Sequence, residues 1–480
     1  MSGTLKDKTI KGVWWSFADN ISGSGVSFLV GLILARILSP EEYGVMAMIA
    51  IFIAISNSII DSGFSSALIR KIDVKDTDYN TVFYFNIVIS ICLYILLWIC
   101  APAISRFFSE SLLIPVIRVL GLVLIINSCS IIQRTVLVRN IDFKTQTKLI
   151  ASLVSGGVGI TMALYHCGVW SLVGQQLSRQ FFNSVLLWIY GKWRPLWEFS
   201  YKSFKDLFGF GSKLLLSGLI DVFYKNVYYI VIGRYYSATQ LGQYTRAEQF
   251  STIFSSNLTS VFQRVSYPVL SSIQEEPERL RDAYRKIIKV TMLITFALMF
   301  GLAAIAKPLI VILIGEKWLM AVPFLQIICF SEMLYPLHAI NLNILQVRGY
   351  SGLFLKLEIV KKIIAVIPIM IGIFWGINYM LWGAVCISLV SYILNSYYSG
   401  RLIDYSTVKQ VKDIFPCFLV SSLVALLMWG ITFLHFNFLV TLLLQVSVGI
   451  LLAIVAYERM RLEEYKEIRR IILSIIRKNS

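Results

Sequence analysis

The chain has 480 residues, 57 % hydrophobic and 15 % charged, with a mean hydropathy of +0.73. Apolar runs of about 20 residues recur from end to end, the length a helix needs to cross the hydrocarbon core, and this excludes a water-soluble domain. The net charge of +17 does not point to nucleic acid, because the Lys and Arg residues sit in short segments between apolar runs, as in the cytoplasmic loops of a polytopic membrane protein.

In chain order, hydropathy predicts fourteen spans: 12–37, 43–65, 80–101, 112–135, 147–166, 169–190, 210–233, 241–263, 287–306, 319–344, 354–375, 379–400, 413–434 and 438–457. Met1–Lys11 is polar and basic and the first apolar run is a full span, so no cleavable signal is expected. The connecting loops alternate in charge. One set, with the two ends of the chain, holds 34 of the 44 Lys and Arg residues, among them Arg70, Lys71, Arg134, Arg139, Lys144, Lys192, Arg194, Arg348 and Arg401. The other set holds only Arg36, Arg106, Arg234, Lys307 and Lys317. Both termini are therefore expected on the cytoplasmic side. The basic-poor loops are too short to hold an extramembrane domain. After the last span, Leu462, Tyr465, Ile468, Ile472, Ile475 and Ile476 recur at helical spacing among Arg461, Lys466, Arg469 and Arg470, a pattern suited to a helix lying on the inner leaflet. The seven cysteines lie mostly in apolar runs without CxxC spacing and read as small hydrophobes.

An internal duplication runs through the chain. Arg36 and Arg234, Ser39 and Ser237, and Gly44 and Gly242 match at one offset of 198 residues, which spans six helices. Pro115 with Pro323 and Arg139 with Arg348 correspond more loosely. Parallel six-helix repeats predict an all-α polytopic fold of about fourteen transmembrane helices, with two lobes related by a pseudo-two-fold along the membrane normal and a cavity between them. The lobes would be 1–190 and 210–400, joined by a cytoplasmic connector at 191–209. An additional helix pair over 401–457 and a basic tail over 458–480 would follow.

The string Leu34-Ala-Arg-Ile-Leu-Ser-Pro-Glu-Glu-Tyr-Gly44 resembles the first-turn motif of the polysaccharide transporter (Wzx-type flippase) branch of the MOP flippase superfamily. Arg139-Asn-Ile-Asp-Phe-Lys144, Tyr267-Pro-Val-Leu-Ser271 with Glu278-Arg-Leu-Arg281, and Gly315-Glu-Lys-Trp318 are similar to later segments of that branch, in the same order. The resemblance implies an inner-membrane flippase for undecaprenyl-diphosphate-linked oligosaccharides, serving capsule, exopolysaccharide or O-antigen assembly. It also implies partners in the lipid-linked glycan, the membrane lipids and the polymerase or export machinery. The lipid II flippases of the superfamily carry arginines in their first two spans; here Asp19 and Asn20 stand in the first span and no Arg precedes Arg70 in the second, so that activity is a lesser alternative.

A charge at the bilayer centre costs at least about 2.5–3.5 kcal/mol on insertion scales, which makes each intramembrane charge a functional candidate. A diphosphate crossing a low-dielectric layer needs cations with several donors. Arg179, inside Gln175-Gln176-Leu177-Ser178-Arg179-Gln180, with Lys225, Arg246 and Arg118, is expected to face it, and Asn20 and Tyr228 the glycan. The structural alternative pairs Asp221 with Lys225 one turn away, and Arg179 with Glu332. Asp19, Asp221 and Glu332 are the candidates for Na⁺ or H⁺ coupling, and no other cofactor or metal is expected. No GxxxxGK[ST] loop is present.

An enzyme is not expected. A polymerase or ligase of the same pathway would need catalytic groups on the outer face, where His166 and His435 sit in tight turns, and HExxH and GxSxG are absent. His338 falls inside the tenth span. A multidrug/cation antiporter of the same superfamily is the other transporter alternative, but it should show net acidic spans, and central Arg179 argues against it.

Overall fold

The computed structural model describes residues 23–140 and 147–460, with Tyr465, Lys466 and Arg469. These residues are helical, with no strand among them. The helices of the first half are α1 (Gly23–Ile37), α2 (Pro40–Asp61), α3 (Phe64–Arg70), α4 (Asp76–Phe108), α5 (Leu113–Leu120), α6 (Leu122–Arg139), α7 (Thr147–Leu164), α8 (Val169–Tyr190) and α9 (Tyr201–Tyr235). The second half has α10 (Ala238–Ser272), α11 (Pro277–Ile314), α12 (Ala321–Glu332), α13 (Tyr335–Val347), α14 (Ser351–Ile364), α15 (Val366–Trp375), α16 (Ile377–Leu402), α17 (Thr407–Gly430) and α18 (Phe438–Arg459).

Four rods are broken along their length, α2 into α3, α5 into α6, α12 into α13 and α14 into α15, so that the described residues form the fourteen helical rods expected. Eight of the helices are long and apolar enough to cross a membrane on length and composition alone. The breaks themselves were not expected. Between α2 and α3, Ser62 and Gly63 both take left-handed backbone (φ 44° and 71°), which ends one helix and starts the next. Pro336 in the first turn of α13 lacks the N–H that would continue α12. The expected 264–286 loop is largely helix, since α10 runs to Ser272 and α11 starts at Pro277. Asp19, Asn20, Lys144 and most of the expected amphipathic tail lie outside the described residues.

The chain divides into two compact units, Met1–Gly242 and Gln243–Ser480. In the first, α9 lies along α2 and α4, α7 along α8, and α6 against both α4 and α8. An aromatic core built on Phe64, Phe83, Trp193 and Leu207, with Phe85 and Phe204 against it, holds the basic-loop end of α3, α4 and α9 together.

The duplicated turn is part of the same unit. Ser39 caps α2 by accepting from the Glu42 amide (3.4 Å) while the Glu42 carboxylate accepts from the Ser39 amide (2.6 Å), a capping box. Ser237, its repeat partner, accepts from the Gln240 amide at 3.2 Å in the same way. Five residues on, the two glycines meet the opposite turn reciprocally. A Cβ on Gly44 would lie 1.7 Å from the Ala238 carbonyl oxygen, and one on Gly242 would lie 1.8 Å from that of Pro40. Pro40 and Ala238 are themselves 198 residues apart, so the crossing has the symmetry of the repeat.

The two loosely matched arginines also do the same work in each unit. Arg139 at the end of α6 donates to the carbonyls of Leu68, Lys71 and Ile72 at 2.5–2.7 Å, satisfying the open end of α3. Arg348 after α13 donates to Gln274 O (2.9 Å) and Leu402 O (3.4 Å), beyond α10 and at the end of α16. Arg234 likewise donates to Phe107 O at 2.6 Å near the end of α4.

In the second unit α11 is central, contacting α12, α13, α17 and α18, while α16 covers α12, α13 and α15. Tyr284 of α11 is fully buried and its hydroxyl donates to Asn341 Oδ1 (2.8 Å), which also accepts from Ser399 Oγ (2.5 Å), joining α11, α13 and α16. The next residue, Arg285, grips Asp413 of α17 through Nε (2.6 Å) and Nη2 (2.7 Å), and the Tyr405 hydroxyl donates to the same carboxylate at 2.7 Å. Burial and the Asp413 carboxylate hold the Tyr405 phenol above its ordinary range, so it stays a donor at neutral pH. Arg285 is half-exposed, which screens the pair. Asp413→Asn is therefore expected to cost only about 1 kcal/mol, read as a small fall in the thermal midpoint of the purified protein. A change of several kcal/mol would mean that α17 depends on this contact far more than its exposure implies.

Candidate functional site

The polar residues with the most connected geometry lie in the first unit, and most of them are uncharged. Gln180 of α8 donates through Nε2 to Asn127 Oδ1 on α6 (2.8 Å), and Asn127 donates through Nδ2 to Asn57 Oδ1 on α2 (2.8 Å). This amide chain crosses three helices. Asn57 and Asn127 open into a cavity of about 350 Å³, lined also by Asp61, Ser65, Arg134 and Thr135, with Ile69, Ile131 and Val138 completing its wall.

The α2–α3 break shapes this cavity. It places Ser65 in the first turn of α3, where its amide (3.4 Å) and hydroxyl both donate to Asp61 Oδ1. Thr135 Oγ1 lies 3.2 Å from Ser65 Oγ. Arg134 forms no hydrogen bond or ion pair among the described residues, although Asp61 lines the same cavity. One carboxylate oxygen of Asp61 is thus engaged by the helix start, and the Arg134 guanidinium lines the cavity with the Asp61 charge nearby but not hydrogen-bonded to it. An anion bearing several oxygens is what such a cation, with amides and hydroxyls around it, can hold.

Arg134 escaped sequence reasoning because apolarity fades near 135 and placed it in a loop. The helix continues to Arg139, so Arg134 is about 7 Å inside its end. Asp61 lies inside the expected span 43–65, four residues from its end, and was not singled out among the intramembrane charges. Asn57, Asn127 and Gln180 carry no charge and gave no signal of their own beyond being amides in apolar runs.

The residues singled out from the sequence are dispersed. Arg179 is exposed on α8 beside Gln180 and has no hydrogen-bond or ion-pair partner among the described residues, so the alternative in which a carboxylate neutralises it finds no support there. Lys225 and Asp221 are both exposed on α9, where the structural alternative would pair them. Tyr228 is half-buried one turn further along. Arg118 stacks over the Trp98 ring at 4.0 Å, a cation–π contact between α5 and α4. Arg246 and Glu332 belong to the second unit, where Arg246 Nη1 donates to Gln249 Oε1, and Glu332 accepts from Ser255 Oγ at 2.6 Å. His338 also lies there, its Nε2 3.1 Å from Ser388 Oγ.

Residues 33–323 match the family described as polysaccharide biosynthesis protein. The chain belongs to that family. It is a multi-pass membrane protein of polysaccharide biosynthesis. It is 23 % identical over 93 % of its length, and 94 % of the relative's, to the teichuronic acid biosynthesis protein TuaB of Bacillus subtilis (strain 168). It is 25 % identical over 69 % of its length, and 68 % of the relative's, to the succinoglycan biosynthesis transport protein ExoT of Rhizobium meliloti (strain 1021). Among solved structures, the lipid II flippase MurJ in an inward closed conformation superposes with a TM-score of 0.73, covering 94 % of this chain and all of that one at 15 % identity. That likeness speaks for the fold alone. The resemblance of the turn around Arg36 and Gly44 to the polysaccharide transporter branch is thereby upheld.

Proposed function

We propose that this family member flips an undecaprenyl-diphosphate-linked oligosaccharide from the cytoplasmic to the outer leaflet of the bacterial inner membrane by alternating access, with both termini cytoplasmic. The observation that carries the reading is the cavity among α2, α3 and α6. It offers a guanidinium that makes no hydrogen bond or ion pair among the described residues, with amides and hydroxyls around it, inside a helical membrane protein, the donor set a phosphorylated sugar headgroup needs. The names borne by TuaB and ExoT, of teichuronic acid biosynthesis and succinoglycan transport, support a glycan cargo. Arg134 joins Arg179 as the diphosphate-facing pair of the first unit. Lys225, Arg246 and Arg118 assist, and Asn20 and Tyr228 meet the glycan. Asp19, Asp221 and Glu332 are the carboxylates through which Na⁺ or H⁺ would be coupled.

Reconstitution tests the activity directly. Proteoliposomes loaded with a fluorescent undecaprenyl-diphosphate glycan should expose it to an external, membrane-impermeant quencher much faster than protein-free vesicles do. Equal rates in the two preparations would sink the proposal.

A further inference from the structure

The seam between α6 and α8 carries a second concavity, a groove of about 500 Å³. Ile125, Ile126 and Cys129 of α6 face Phe181, Trp188 and Ile189 of α8 across it. The Trp188 indole donates to Cys129 O at 2.9 Å and ties the two helices together. The lining includes no carboxylate and a single cation, Arg194, in the segment after α8.

Arg194 is held by neutral partners. Its Nη1 donates to Gly191 O (2.6 Å) and Trp193 O (2.8 Å), and its Nη2 donates to Trp188 O (2.9 Å). A guanidinium has five N–H groups, so Nε–H and one Nη2–H are left. Carbonyls fix its orientation without cancelling its charge, and among the described residues no carboxylate pairs with it. Two oxygens of a phosphate ester match what remains.

The surrounding segment has the composition of a membrane–water boundary. Trp197 is 93 % exposed and stacked on Tyr84, and Tyr201 is 72 % exposed. Such aromatic rings settle at headgroup depth. Lys192, Lys202 and Lys205 are exposed on the same stretch, and each basic group near the surface favours anionic lipid.

We infer that this groove holds one acyl chain of an anionic phospholipid whose phosphate rests on Arg194. Its volume is on the scale of a single acyl chain and not of a long polyprenyl chain. None of its lining residues belongs to the polar cavity, so the inference stands whether or not the flippase reading does.

Native mass spectrometry of the full chain, released from nanodiscs of equal phosphatidylglycerol and phosphatidylcholine doped with undecaprenyl phosphate, tests it. The wild type should retain one phosphatidylglycerol over phosphatidylcholine by roughly tenfold, the scale of one charge-assisted contact. Arg194→Gln should erase the preference, and Val185→Trp, which fills the groove, should lose the bound lipid altogether. Equal retention of the two phospholipids by the wild type would overturn the inference. So would an unchanged preference in Arg194→Gln, undiminished binding in Val185→Trp, or a preference for undecaprenyl phosphate, which would assign the groove to the polyprenyl lipid. Should Arg194→Gln fail to fold because three carbonyls lose their donor, Val185→Trp, which removes no hydrogen bond, decides alone.

Discussion

Gly44→Val is expected to leave almost no folded protein in the membrane, and Gly242→Val to do the same. The added Cβ would sit 1.7 Å from the Ala238 carbonyl oxygen in one case and 1.8 Å from the Pro40 oxygen in the other. Overpacking against side chains that can shift costs about 1–3 kcal/mol. Here the obstacle is backbone in the capped first turn of a helix, which cannot turn aside, so the cost should exceed about 3 kcal/mol. That is a large part of the 5–15 kcal/mol that separates typical folded and unfolded states. Gly157→Ala is the matched control: nothing lies within 4 Å of its Cβ position, in the middle of α7. There alanine should be neutral or stabilise by about 0.5–1 kcal/mol. Size-exclusion profiles of fluorescently tagged protein in mild detergent read both outcomes. A monodisperse peak for Gly44→Val at wild-type height would show that the turns do not meet as described.

Arg134→Gln and Arg179→Gln should each lower glycan export about ten- to a hundredfold while leaving membrane levels of the protein unchanged. A hydrogen bond to a charged group contributes about 1.5–3 kcal/mol, and neither guanidinium makes a hydrogen bond or ion pair among the described residues whose loss would unfold the chain. Arg134→Lys should recover part of the loss by keeping the charge but not the fork. Export is read in cells lacking the native copy, with protein quantified in the membrane fraction. Normal export by both glutamine variants would refute the assignment of the diphosphate contact. Failure of Arg134→Gln alone would confine that contact to the α2–α3–α6 cavity.

The count of helices was legible in the sequence because apolar length is a local property, and α8 and α18 start at the residues hydropathy indicated, Val169 and Phe438. The duplicated turn was legible too, since Ser39 and Ser237 must each cap a helix and Gly44 and Gly242 must each admit a backbone. The breaks were not. Gly121 and Ala365 interrupt helices with residues that occur freely inside them, and only packing decides that they do so here. The site was legible only in part. Charge drew attention to Arg179, yet the amide chain runs through its neighbour Gln180, and partners 53 and 70 residues apart leave no mark in a linear pattern. Arg134 was mislaid because hydropathy sees where apolarity ends, whereas a helix ends where its carbonyls find donors, and Arg139 supplies its own to α3 one turn later.

The reciprocal glycine crossing has a mechanical consequence. Where two backbones touch at paired points, each wedged against the carbonyl of the other, sliding along either axis drives an oxygen into a Cα. Swivelling about the line that joins the two contacts separates nothing and compresses nothing. The crossing of α2 with residues 238–242, all inside the first unit, is thus a point at which the two backbones hold each other in register.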